Sequence, residues 1–171
     1  MKQKKFADAI VEHQKALALE PSNADAWYNL GVAYENQLQL AEAIASYTKA
    51  IGLRKDYLNA YINLGNAFAA QGHLDKAIET LSKAISVNPE SADAYYNLGN
   101  VFFYKHEVDK AFAAFLLAIK KDSTYANAYY NLGIIYGENG NEQEALAAFR
   151  RAAQLGSGDS QELLRRKGFT W

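Results

Sequence analysis

Apolar positions recur along this chain at two helical spacings that alternate. Trp27, Leu30 and Tyr34 stand at i, i+3 and i+7, and beyond them Ala43 and Ala50 stand seven apart. Spacings of three, four and seven bring side chains to one face of an α-helix. The pattern predicts a first helix with an aromatic stripe and a second with a small-residue stripe, polar positions filling the other faces. The block then returns every 34 residues without insertion. Tyr61, Leu64 and Phe68 precede Ala77 and Ala84; Tyr95, Leu98 and Phe102 precede Ala111 and Ala118; Tyr129, Leu132 and Tyr136 precede Ala145 and Ala152. A fixed period of this length marks an array in which each helical hairpin buries its apolar face on its neighbours.

Glycine follows the leucine in every unit, at Gly31, Gly65, Gly99 and Gly133. Inside a helix it costs about 1 kcal/mol relative to alanine, so a packing reason is expected. Close approach of the second helix supplies one. Ala43, Ala77, Ala111 and Ala145 let the backbones approach, and Tyr47, Leu81, Phe115 and Phe149 fill the space beside them. Pro21 and Pro89 end second helices, with Ser22-Asn23 and Glu90-Ser91 offering caps to the next first helix. Lys55-Asp56, Ser123-Thr124 and Ser157-Gly158-Asp159 hold the equivalent places, and Gly72 and Gly140 mark tight turns inside two units.

These residues resemble the tetratricopeptide repeat, or TPR. The resemblance covers four full units, residues 24–57, 58–91, 92–125 and 126–159, with a half unit at 6–21 and a capping helix at 160–171. More loosely, runs such as Tyr61-Ile62-Asn63-Leu64-Gly65-Asn66 are similar to the TPR region of O-GlcNAc transferase, with nothing like that enzyme's catalytic part. The resemblance implies an all-α fold, a right-handed superhelical solenoid of antiparallel helix pairs in one domain, 1–171. It also implies that first helices line a shared concave groove.

The half unit aligns Ala9, Ala16 and Pro21 with a second helix whose first helix would lie before Met1. His13 stands where Tyr47, Leu81, Phe115 or Phe149 stands elsewhere, which suits an exposed end as well as a chain cut from a longer one. At the other end Leu163 takes the aromatic place, but Arg166 and Lys167 replace Leu-Gly, so Ser160–Lys167 reads as a solvating cap. Gly168 stops it, and Phe169 and Trp171 are expected to fold back over it.

Composition adds limits. Half of the 171 residues are hydrophobic, there is no cysteine, and the net charge is -1. Disulfide and thiol chemistry are excluded, and nothing favours nucleic acid or an anionic membrane. The apolar run Ala111–Ile119 falls far short of the roughly 20 residues a membrane helix needs. No leader is visible, so a cytoplasmic location is the expectation. His13, His73 and His106 lack helical partners, and His106, Glu107 and Asp109 read as a solvated turn, so no catalytic residue, metal or cofactor is expected.

Function is expected on the groove. Its lining is predicted to be Asp25, Tyr28 and Asn29; Ile62, Asn63 and Asn66; Asp93, Tyr96, Asn97 and Asn100; and Tyr130 and Asn131. Asn29, Asn63, Asn97 and Asn131 recur once per unit, like rungs of a ladder. An asparagine amide donates and accepts at once, matching a peptide backbone. Packed helices lie about 8–10 Å apart and an extended chain advances about 3.3 Å per residue, so one rung meets roughly every third residue. Each rung contributes about 0.5–1.5 kcal/mol, which predicts micromolar binding of an extended peptide. First helices carry Asp25, Glu35, Asp93 and Glu138 against Lys105, favouring a ligand with basic residues. TPR domains that grip a terminal carboxylate surround such asparagines with lysine and arginine; here Asp25, Tyr28, Asn59 and Ile62 stand instead. Phe103 and Tyr104 are a candidate hydrophobic anchor in the third unit. On the convex side Leu116-Leu117 replaces Thr48-Lys49, Ser82-Lys83 and Arg150-Arg151, with Phe112 nearby. Those leucines and the array ends offer the alternative of an assembly scaffold or homo-oligomer.

Overall fold

The computed structural model describes residues 2–171, with side chains from residue 6 onward. Its described residues form ten helices and no strand: α1 Lys2–Leu19, α2 Ala24–Asn36, α3 Leu40–Leu53, α4 Leu58–Ala70, α5 Leu74–Val87, α6 Ala92–Tyr104, α7 Val108–Lys121, α8 Ala126–Glu138, α9 Glu142–Gln154 and α10 Gly158–Arg166. Two compact units divide them, Met1–Pro89 and Glu90–Trp171. Within each, successive helices pack on one another in chain order. α1 runs from Lys2, a turn earlier than the half unit at 6–21, and its exposed residues include Val11 and Leu19.

The predicted stripes form the cores. Ala43, Tyr47 and Leu64 make one cluster of unit 1 and Leu17, Ala26 and Leu30 another. In unit 2, Ala111, Phe115, Ala118, Ala128, Leu132 and Ile135 pack together. Burying a large apolar side chain is worth about 1.5–3 kcal/mol, so Phe115, fully enclosed, is a main anchor of unit 2.

The glycines answer to one neighbour each. A Cβ on Gly31 would lie 2.6 Å from the Tyr47 ring, on Gly65 2.6 Å from Leu81 Cγ, on Gly99 2.6 Å from the Phe115 ring, and on Gly133 2.6 Å from the Phe149 ring. The large second-helix residue, and not the alanine, therefore occupies the space that glycine leaves open. The expected close approach takes the form of a knob in a slot.

Turn chemistry differs from expectation at alternate repeats. Asn23 and Ser91 cap α2 and α6 by accepting from Ala26 N at 2.9 Å and Ala94 N at 3.2 Å. Ser157 does the same for α10 from Ser160 N. Lys55-Asp56 and Ser123-Thr124 do not cap: the cap positions of α4 and α8 are Tyr57 and Tyr125, without a side-chain cap bond. Inside the hairpins, Gly72 and Gly140 turn with φ of 79° and 78°, and the matching places hold Leu38 at 61° and His106 at 60°. All four turns need the left-handed conformation, but only two repeats use the residue that adopts it freely.

At the C-terminal end, Phe169 N donates to Leu164 O at 2.9 Å past Gly168, whose φ is 75°. The tail lies against α9: Arg150 Nε donates to Thr170 O at 3.2 Å and its guanidinium sits 5.8 Å from the Phe169 ring centre. Among the described residues no helix is long and apolar enough to cross a membrane.

Candidate functional site

In unit 1 the first helices α2 and α4 bring Tyr28 and Asn63 together, 35 residues apart in sequence. Asn63 Nδ2 donates to Tyr28 Oη at 3.2 Å and to Tyr47 Oη at 3.4 Å. Tyr47, enclosed against Gly31, donates its own hydroxyl to Glu35 Oε2 at 2.5 Å. Burial, then the Glu35 carboxylate, push the Tyr47 hydroxyl pKa far up. A buried hydroxyl without a partner is costly, and Glu35 prevents that. Glu35 is thus committed internally and is not a free groove charge.

Asp25 is likewise engaged. Its carboxylate accepts from Arg54 Nη1 and Nη2 at 3.0 and 2.6 Å and from Tyr57 Oη at 2.7 Å. The Arg54 guanidinium, then the tyrosine, hold the Asp25 pKa below the usual carboxylate range. Burial and then the bond to Asp25 push Tyr57 up to about 12. Tyr28 lies 5.0 Å from the Tyr57 ring and 5.8 Å from Tyr47, so the half-buried Tyr28 and Tyr57 cluster with the fully enclosed Tyr47. Asn29 is exposed and Asn66 half-buried, and among the described residues neither makes a side-chain hydrogen bond.

Ile62 does not line a groove. Only 8% of it is exposed, because it occupies the core-facing register that Tyr28, Tyr96 and Tyr130 only partly enter.

Unit 2 repeats the theme with changes. Tyr96 stands 5.0 Å from Tyr125 and 5.8 Å from Phe115, and Tyr125 Oη donates to Asp93 Oδ1 at 2.7 Å. Burial, then the Asp93 bond, raise the Tyr125 pKa well above that of a free tyrosine. Tyr130 rests 5.7 Å from Phe149. Asn97 Nδ2 donates back to Asp93 O at 2.8 Å, and Asn131 Nδ2 donates to Asn100 Oδ1 at 2.8 Å. Phe103 is not a free anchor: it packs on the unit 2 core, filling the place that Glu35 holds beside Tyr47 in unit 1. Tyr104 is 69% exposed and remains accessible.

The ladder is therefore partly self-satisfied. Three of its four rungs, Asn63, Asn97 and Asn131, spend a donor inside the protein. An amide has two N–H donors and an acceptor oxygen, so one internal bond orients it and leaves further capacity. Arg54, Tyr57 and Tyr125 belong to this surface but are not among the predicted lining, because they lie in the turns before first helices. The signal for the two tyrosines is the spacing of two repeats: Asp25 with Asp93, Tyr28 with Tyr96, and Tyr57 with Tyr125 each stand 68 residues apart.

Among the described residues no group of three or more His, Asp or Glu is placed to hold a metal. A cavity of about 440 Å³ lies at the end of unit 2, lined among others by Leu146, Phe149, Leu163, Lys167 and Phe169. It opens where Gly137 and Leu146 replace the Phe103 and Phe112 of the preceding repeat.

Comparison with known proteins places the chain. Family profiles described as TPR repeat match residues 1–37, 65–105 and 99–140, and others described as Tetratricopeptide repeat match 24–57 and 126–159. No curated protein sequence matches significantly. A crystal structure of MamA superposes with a TM-score of 0.80 at 31% identity, covering 94% of each chain. PilF of Pseudomonas aeruginosa gives 0.84 at 22% identity over 95% of this chain and 74% of its own. YrrB, described as a TPR protein with an unusual peptide-binding site, gives 0.72 at 24% over 96% and 84%. At those two identities the likeness concerns the fold alone. Profile matches over more than half of the residues, with the repeated hairpins above, establish that this chain belongs to the tetratricopeptide-repeat family.

Proposed function

We propose that the chain is a non-catalytic interaction module whose first-helix faces hold an extended segment of a partner protein. One observation carries this: an asparagine recurs on those faces at each 34-residue step, with a tyrosine before it in three of the four repeats, and internal bonds orient Asn63, Asn97 and Asn131 while leaving them hydrogen-bonding capacity to spare. Amides already oriented lose less entropy when a ligand backbone arrives. Asn29 and Asn63 would serve in unit 1, with Asn66 beside them; Asn97 and Asn131 would serve in unit 2, with Asn100. Tyr28, Tyr96 and Tyr130 offer aromatic edges, and Tyr104 replaces Phe103 as the accessible apolar contact. Because Arg54 already neutralises Asp25, the preference for basic ligand residues centres on Asp93. The peptide-binding site named for YrrB is in keeping with this use of the fold. A cytoplasmic setting and a protein rather than nucleic-acid partner complete the reading.

Peptides selected from a random library on the wild-type protein test it. Asn29→Ala with Asn66→Ala spares the internal bonds and should weaken a selected peptide about tenfold, two lost bonds at about 0.5–1.5 kcal/mol each. Unchanged affinity would contradict the proposed face.

A second reading is favoured by α7. Leu116 and Leu117 are 43% and 39% exposed where other repeats place polar or charged residues, whereas Phe112 is turned to Tyr136 at 5.4 Å and leaves the patch. Contact between copies through these leucines would appear in sedimentation as a concentration-dependent dimer lost in Leu116→Lys with Leu117→Arg.

A further inference from the structure

The joints between consecutive repeats in the two units are near-copies with one exchange. In unit 1 the Tyr57 hydroxyl meets Asp25 Oδ1 at 2.7 Å, and the Tyr57 and Tyr28 rings lie 5.0 Å apart at 36°. In unit 2 the Tyr125 hydroxyl meets Asp93 Oδ1 at 2.7 Å, and the Tyr125 and Tyr96 rings lie 5.0 Å apart at 39°. Carboxylate, hydroxyl and paired rings are thus reproduced closely. In unit 1 this cradle is filled by the chain itself: Arg54 forks onto both oxygens of Asp25, with its Cζ 4.4 Å from the Tyr57 ring centre. The matching residue in unit 2 is Asp122, whose carboxylate turns instead to Thr124, accepting from its N at 2.8 Å and its hydroxyl at 2.6 Å. Beside it an open hollow of about 240 Å³ is lined by Asp122, Thr124, Tyr125, Ala126 and Asn127.

We propose that the Asp93–Tyr125 cradle of unit 2 receives an arginine side chain of the partner segment, in the pose Arg54 holds in unit 1. The chemistry is selective. A guanidinium is planar, matches a carboxylate with two parallel N–H donors and stacks on an aromatic face; an ammonium does none of these together. Charge around the cradle agrees, because Asp93 and Asp122 are both acidic and the adjacent Lys121 is held by Glu90 at 2.6 Å. The Arg54–Asp25 pair is itself substantially exposed, so the cradle alone is a weak, salt-sensitive site that adds specificity to a longer contact. That the arginine belongs to a peptide rests on the function proposed above; the cradle itself does not.

Argininamide and lysinamide, titrated at low salt into isotope-labelled protein and followed by NMR, test the cradle without a peptide. Argininamide should give saturable shifts at Asp93, Asp122 and Tyr125 with a dissociation constant of about 1 mM, and lysinamide should bind about tenfold more weakly. Asp93→Asn should weaken argininamide about tenfold or more. Arg54→Ala should open the cradle of unit 1 and add a second saturable set at Asp25 and Tyr57, absent from the wild type. No saturation in unit 2, equal binding of the two amides, or no second site in Arg54→Ala would overturn the proposal. If argininamide fails while selected peptides still shift the asparagine amides, the cradle is lost and the peptide-binding function survives. Argininamide binding without any peptide engagement gives the converse.

Discussion

Gly99→Ala isolates the contact on which each repeat is built. A methyl group there would sit 2.6 Å from Phe115 Cε1, 2.7 Å from Cδ1 and 3.1 Å from Cζ. Carbon atoms rest at about 3.5–4.0 Å, so the ring must withdraw by about 1 Å. It has nowhere easy to go, being fully buried with Tyr96 5.8 Å away. Overpacking of a closed core costs about 1–3 kcal/mol, and a clash this close belongs at the upper end. Relief of the helix penalty of glycine returns about 1 kcal/mol, leaving a net loss of about 2 kcal/mol. Gly52 supplies the control: it is helical and exposed, and its added Cβ meets nothing within 4 Å. Gly52→Ala should stabilise by about 0.5–1 kcal/mol. Denaturant unfolding followed by circular dichroism would compare the two, together with Phe115→Ala and the Gly99→Ala, Phe115→Ala double variant. The double should be less destabilised than the sum of the singles by about 1 kcal/mol or more, the coupling expected of touching residues. Gly99→Ala behaving like Gly52→Ala, or strict additivity, would refute the knob-in-slot account.

Further outcomes follow from the turns and from titration. Leu38→Gly and His106→Gly should each stabilise by about 1 kcal/mol, since a side chain in the left-handed region costs about 1–2 kcal/mol and glycine returns part of that in unfolded-state entropy; thermal melts would read the gain. Stability should fall as pH rises from about 10 to about 12. Tyr57 ionises near 10 when unfolded but only at about 12 when folded, so the unfolded chain loses its proton first; Tyr47 and Tyr125 shift in the same direction. Urea midpoints across that range should decline less steeply in Tyr57→Phe. Asn100→Ala and Asn131→Ala should show a coupling of about 0.5–1.5 kcal/mol in a double-mutant cycle, whereas Asn29→Ala and Asn100→Ala should add.

Much of this was legible in the chain because period and hydrophobic stripe express the same physics at every repeat. Trp27, Leu30 and Tyr34 could only face a second helix, and Gly31 could only signal a crowded neighbour. The site was harder, because a residue's helix register says which way it leaves the backbone, not which polar group it meets. Ile62 shares the register of Tyr28 yet is buried, since an isoleucine has no hydroxyl to draw it toward water. The spacing puts Asn63 and Asn131 at one register of the first helices, but their bonds to Tyr28 and Asn100 depend on distances between helices. Arg54 was invisible as a partner of Asp25, 29 residues away, until the turn before α4 was placed. Only the spacing of two repeats, linking Asp25, Tyr28 and Tyr57 to Asp93, Tyr96 and Tyr125, hinted that the units carry matching joints.

The most direct measurement of the central claim uses the asparagine side-chain amides as reporters. With a library-selected peptide added to isotope-labelled protein, the NH2 signals of Asn29, Asn63 and Asn66 in unit 1, and of Asn97 and Asn131 in unit 2, should shift and saturate, while α7 around Leu116 and Leu117 stays unmoved. Saturable shifts confined to α7 or the chain ends, with those five amides silent, would contradict it.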